Sequence, residues 1–222
     1  MTMDEYLRPT PAIDADHPSV AAYARAAAGD APDPRTRAIR LYRAVRDDVR
    51  YDPYVANLSL EGMRASTTLA NRRGWCVSKA VLLAACARAE GIPARLGFAD
   101  VRNHLSTERL RAAMGTDVFV YHGNTELWLG ERWVKATPAF NAELCAKFGV
   151  APLEFDGVHD SLLQEHDGQR RQFMEYVRDR GHAADLPLAE IVAAFCEAYP
   201  GLMGGASIDG DFGDEGARER TR

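Results

Sequence analysis

The stretch "CVSKAVLLAACARAEGIPAR", Cys76 to Arg95, constrains the fold more than any other. From Cys76 to Glu90, alanine, leucine, valine and cysteine cover most of a helical circumference, and Gly91 supplies the stop. A helix that is apolar on nearly every side has no solvent face, so the rest of the chain must be wrapped around it. With 222 residues the chain can bury such a core without covalent staples. The four cysteines, Cys76, Cys86, Cys145 and Cys196, are widely spaced and form no CxxC pair. They read as free thiols, neither a disulfide framework nor a zinc site.

The other elements follow from periodicity and punctuation. Asp16-His17-Pro18-Ser19 opens a helix that runs to Gly29, and "DAPDP" separates it from a second helix, "RTRAIRLYRAVRDDVRY". From Asp52 to Gly74 there is no sustained period, which predicts a long loop of the kind that often carries function. After the central helix, "ARLGFADV" reads as a strand and "NHLSTERLRAAMG" as a loop with a short helix. "DVFVYHGNTELWLGERWVKATPAF" reads as a hairpin turning at Gly130-Glu131. Helices are expected over "NAELCAKFG", from about Ser161 to Gly181, and over "LAEIVAAFCEAYP"; the glycine-rich charged tail is expected to be disordered. The domain reading is an N-terminal helical extension 1–34, a catalytic core 35–141, a C-terminal helical segment 142–202 and a disordered tail 203–222. The fold class is α+β, with a small antiparallel sheet packed on the Cys76 helix.

Charge removes several classes of function. The net charge of -5 is spread over interleaved acids and bases, with no basic stripe to bind nucleic acid. No segment approaches eighteen consecutive apolar residues, and the first residues lack the pattern of a secretion signal. The expectation is a cytoplasmic protein with no nucleic-acid or membrane partner, no cofactor, no metal, and a possible homodimeric state.

Of the four cysteines, Cys76 is the one placed where a helix begins. Unpaired N–H groups and the positive end of the helix dipole stabilise a thiolate there, and the same N–H groups can hold an oxyanion. Cys86, Cys145 and Cys196 lie inside helical patterns and read as core packing. A thiol nucleophile also needs a base. His122 follows the apolar run Val118-Phe119-Val120-Tyr121 and precedes Gly123, whose small size would leave the ring open to a cleft. His17, His104, His159, His166 and His182 lie in caps, loops or polar helix faces.

At this pair the sequence resembles the transglutaminase-like superfamily of cysteine enzymes, which shares a papain-like fold. "GWCVSKAVLLAACARAEGIPAR" is similar to the nucleophile helix of that family, and "YHGNTELWLGERWVKATPAF" to its histidine strand and the strand after it. "YRAVRDDVRYDP" resembles the helix that precedes the cysteine motif. The resemblance covers about Arg35 to Asn141. It implies Cys76 as nucleophile and His122 as general base and acid. Four residues beyond Trp133, where the family usually has aspartate, this chain has Thr137. A threonine can accept from an imidazole but carries no charge. Asn141 is the alternative, in the part asparagine plays in papain-like sites. Glu126, about 13 Å along the strand, and Asp156 are further candidates. Trp75 could wall the site and bind substrate, and Arg72 and Arg73 could rim it.

Two functions follow. One is acyl transfer or amide hydrolysis through a Cys76 thioester, on a peptide or a small amide or ester, with hydrolysis favoured because water needs no acceptor pocket. The other is a transglutaminase-like binding or scaffold module without catalysis, for which Thr137 is the main support.

Overall fold

A computed structural model describes residues 3–104, 106–163, 174–203 and 208–220. After a single 3-10 turn at Asp4–Tyr6, helices α1 (Pro18–Ala28) and α2 (Pro34–Asp48) each start on a proline, capped by His17 and by Asp33 respectively. Strand β1 (Arg50–Tyr51) pairs in parallel with β2 (Arg73–Gly74). Between them the segment from Asp52 to Gly74 is ordered rather than a featureless loop. It holds a 3-10 turn at Pro53–Val55, α3 (Leu60–Met63) and α4 (Ala65–Asn71), with Asp52 and Ser59 taking the first free N–H groups of the turn and of α3. Short capped turns carry no hydrophobic period, which is why pattern alone misses them.

The central helix α5 (Cys76–Ala89) is buried from Cys76 to Arg88. α1, α2 and α4 cover one side of it and the sheet covers the other. Its polar residues are accommodated by main-chain partners. Lys79 Nζ donates to the carbonyls of Arg46 (2.9 Å) and Val49 at the end of α2. Arg88 donates to the carbonyls of Ala94, Arg8 and Ala184, tying the amino terminus to the sheet.

The main sheet has the order β5-β4-β3-β6 and is antiparallel throughout. It consists of β3 (Ala94–Asn103), β4 (Val118–Leu129), β5 (Arg132–Ala136) and β6 (Met174–Ala183), with α6 (Glu108–Met114) between β3 and β4. The β4–β5 hairpin turns at Gly130 and Glu131, both with positive φ, and Trp128 opposes Trp133. β6 corrects the helix expected from Ser161 to Gly181. The main-chain groups of Met174–Ala183 are used in pairing with β3, and residues 164–173, with His166 among them, lie outside the described residues.

The remaining helices are α7 (Ala142–Phe148), α8 (Leu188–Ala198), α9 (Pro200–Met203) and α10 (Phe212–Arg220). α10 corrects the expectation of a disordered tail. Phe212 is buried among Tyr51, Tyr54 and Phe148, and that one aromatic anchor outweighs the glycines around it. Residues 204–207 and 221–222 lie outside the described residues. Among the described residues, no helix is long and apolar enough to cross a membrane. Cys86 and Cys145 are core residues as expected, whereas Cys196 is exposed on α8, on the side turned away from the protein.

Candidate active site

Three elements meet at the amino end of α5. Trp75 is its cap, in extended conformation, and the hydroxyl of Ser78 accepts the Trp75 N–H at 3.1 Å. Cys76 follows as the first helical residue, and the main-chain N–H groups of Gly123, Val77 and Cys76 itself lie near enough to favour its thiolate. Two of these are the free donors every helix start leaves over. The third comes from β4. β5 stops at Ala136, opposite Thr125, so beyond Thr125 the outer edge of β4 has no strand partner in the hairpin. The Cys76 sulfur sits against that edge.

Gly123 is required there by close approach. A Cβ on it would lie 2.9 Å from Val77 Cα, inside the backbone of α5. The small residue after His122 therefore seats β4 on the helix and does not open the ring to a cleft. Thr125 continues the contact, its hydroxyl donating to Ala80 O at 2.8 Å.

His122 is buried, and burial pushes its pKa down to about 4. Burial likewise pushes the Cys76 thiol up to about 11, in spite of the three N–H donors that favour the thiolate. In this state the cysteine is a thiol and the histidine a neutral imidazole. Among the described residues no hydrogen bond joins the two side chains.

The cover comes from the carboxy-terminal half. Phe195 of α8 packs edge-on against Trp75, with ring centroids 5.6 Å apart, and Tyr199 packs on Phe195 at 5.0 Å. The Tyr199 hydroxyl accepts from Val120 N at 2.6 Å and donates to Val118 O at 2.9 Å, taking the place of a strand along the open edge of β4. Burial raises the pKa of this hydroxyl and keeps it protonated. Nothing in the sequence around Tyr199 signals this contact, which depends on how α8 docks.

The candidates for a third member have different surroundings. Thr137 is buried and its Oγ1 has no hydrogen-bond partner among the described residues, while its carbonyl accepts from Tyr42 at 3.1 Å. Asn141 is also buried, but its Oδ1 accepts the Tyr51 N–H at 3.0 Å, joining the start of α7 to β1. Glu126 is paired with Arg95 at 2.6 Å, and Asp156 caps its own loop through Val158 and His159. Trp75 lines a cleft of about 450 Å³ beside α5, formed with residues of the segment from Val55 to Arg73. Arg73 lies on that cleft, held by the buried carboxylate of Asp52; Arg72 is exposed beside Asp48.

A thiol opening the buried helix of an α+β core, set against a sheet strand that carries a histidine, defines the cysteine-enzyme kind of protein. The model of the transglutaminase-like superfamily matches residues 21–138, more than half of the chain, and the protein belongs to that superfamily. No curated protein matches the chain. Among solved structures it is similar to a "putative cysteine protease" from Cytophaga hutchinsonii, at 20% identity and a TM-score of 0.48 over 61% of this chain. The match covers 41% of that protein, less than half its length.

Proposed function

We propose that the protein is a cysteine enzyme that cleaves an amide or ester by acyl transfer through Cys76, with water as the acceptor. The observation that carries this reading is the surroundings of the sulfur. Main-chain N–H groups of Cys76, Val77 and Gly123 favour the Cys76 thiolate, and Gly123 directly follows His122. In the reaction the sulfur forms a bond to the substrate carbonyl carbon while its proton passes to His122. The carbonyl oxygen takes the developing charge, which N–H groups at the start of α5 stabilise. Collapse breaks the bond to the leaving amine or alcohol, which receives the proton from His122. Water then attacks the thioester, again giving its proton to His122, and the acid leaves with Cys76 restored as a thiol.

The proton levels of the closed state fit a resting enzyme. Admission of solvent and substrate requires the Phe195–Tyr199 cover to shift, which lowers the desolvation of both groups and brings their proton affinities together. Thr137 supports His122 as the third member in this reading, because its hydroxyl has no competing partner among the described residues, whereas Asn141 is committed to Tyr51. The Trp75 cleft, lined by Asn57, Ser59, Thr67 and Asn71 with Glu61 and Arg73 among them, suits a polar chain such as a peptide.

A second reading is a binding module that retains the fold without turnover. It is favoured by the neutral Thr137 and by the buried thiol. Iodoacetamide alkylation of each cysteine between pH 5 and 9, in wild type and His122→Ala, separates the two. The enzyme reading expects Cys76 to gain reactivity in the presence of a substrate-like amide, and the histidine change to abolish that gain. A Cys76 that stays inert under every condition leaves the binding module.

A further inference from the structure

β4 reaches His122 through a break in its register. Ala99 of β3 pairs with His122 and Val101 with Phe119, so Asp100 faces two residues of β4, Val120 and Tyr121. On the other side Phe98 pairs with Gly181 and Ala99 with Asp179, leaving Arg180 as an extra residue of β6. A second shift, Asp100 with Arg178 and Val101 with Tyr176, leaves Val177 extra as well, so Asp100 lies opposite one insertion on β4 and between two on β6, and it bonds to Tyr121 and to Arg180. Its Oδ1 accepts the Tyr121 N–H at 3.1 Å, and its two oxygens accept from Arg180 Nε at 2.8 and 3.0 Å and from Nη2 at 2.9 Å.

Tyr121 pays for this geometry with a left-handed backbone, φ +54°, a conformation that bulky side chains rarely adopt. Its ring is held by Phe98, 5.6 Å away, and by the Arg180 guanidinium, 4.7 Å from the ring centroid. Glu190 of α8 accepts from its hydroxyl at 3.4 Å. The charged groups facing the bulge are therefore Asp100 from β3, Arg180 from β6 and Glu190 from α8.

The extra residue decides which way the following side chains face, because a one-residue slip in a strand exchanges its two faces. Beyond the bulge Gly123 and Thr125 face α5, so His122 takes the alternate face. Before it, Val118 and Val120 present their outer edge to Tyr199. Both phases are fixed by contacts, and the bulge reconciles them.

We propose that Asp100 is a positioning residue: by accepting the Tyr121 N–H and anchoring Arg180 it holds the bulge that sets the face of β4 on which His122 lies, one residue before the Gly123 that meets α5. The role of His122 itself rests on the function proposed above; the placement does not.

The test is the titration of the His122 ring followed by NMR, with Cys76 alkylation as a second readout. Asp100→Ala is expected to move the His122 midpoint from about 4 upward by one unit or more, as the ring leaves its buried seat. Asp100→Asn, which keeps an acceptor oxygen, is expected to stay within about half a unit of wild type. Tyr121→Gly in the Asp100→Ala background should restore the low midpoint, because glycine adopts positive φ without help. The same double variant should be less stable than Asp100→Ala alone, since the tyrosine packing is lost. A folded Asp100→Ala protein with an unmoved His122 midpoint overturns the proposal, as does a double variant in which the midpoint is not restored. If Asp100→Ala does not fold, Arg180→Gln carries the test: an upward-shifted midpoint supports the proposal and an unmoved one overturns it. If the dyad is not catalytic, wild-type Cys76 is indifferent to His122→Ala while the Asp100 effect on the ring persists, so the two failures are distinct.

Discussion

At Cys76 two effects oppose each other. A helix start and its free N–H groups favour the thiolate by about 0.3–2 kcal/mol, whereas full burial can shift a group by roughly 3–5 pKa units the other way. Burial wins, and the thiol rests near 11. The same imbalance at His122 has a consequence for stability. Its folded pKa, about 4, lies below the ordinary 6.5, so between those values the unfolded chain takes up the proton first. Stability from the neutral ring is complete above pH 6.5 and falls as the pH drops toward 4. Denaturant unfolding at pH 7 and pH 4 should show up to roughly 3 kcal/mol more acid loss in wild type than in His122→Gln. Equal losses would mean that the ring is hydrated in the folded protein. One residue on, Gly123→Ala puts a methyl against Val77 Cα, and overpacking of this kind costs about 1–3 kcal/mol. A lowered thermal midpoint together with altered Cys76 alkylation is the expected outcome; an unchanged midpoint would contradict the close approach.

Among the elements, α8 is the one whose docking is weakest for its importance. Ile191 is its sole fully buried side chain, and the two hydrogen bonds of Tyr199 fasten its end to β4. Tyr199→Phe keeps the ring on Phe195 but removes both bonds and leaves the Val120 N–H without its partner. At about 1 kcal/mol per neutral hydrogen bond, losing two should raise the open population roughly 30-fold. Cys76 alkylation at a fixed pH should accelerate by a similar factor while the circular dichroism spectrum is retained. An unaltered rate would show that α8 does not limit access.

For the molecule as a whole, the carboxy-terminal helix is part of the core and not an appendage. Phe212 fills a pocket against Tyr51, and Asp211 and Glu215 bond to Arg50 and Tyr54. Burial raises the pKa of Tyr51, and Tyr51 lies close enough to Cys76 for a thiolate there to raise it further. Phe212→Ala should cost about 3–5 kcal/mol, as expected for a fully buried phenylalanine. Chemical denaturation would read this as a lower midpoint with unchanged cooperativity. A loss under 1 kcal/mol would mean that the tail is dispensable to the fold.

The all-round apolar pattern of Cys76–Ala89 dictated a buried central helix, and alternation around Gly130-Glu131 dictated the hairpin that carries His122. These are local signals, set by period and turn chemistry, and they were enough to single out the cysteine and the histidine. The strand Met174–Ala183 and the helix Phe212–Arg220 were not legible, because each owes its form to a partner distant in sequence, β3 in one case and Tyr51 with Tyr54 in the other. The same holds at the site. That Asp100 grips two bulges, that Asn141 is spent on Tyr51, and that Tyr199 closes the edge of β4 depend on register and docking between segments far apart in the chain. A hydrogen bond across 80 residues leaves no period in either of the stretches it joins, so it was decided by the tertiary structure alone.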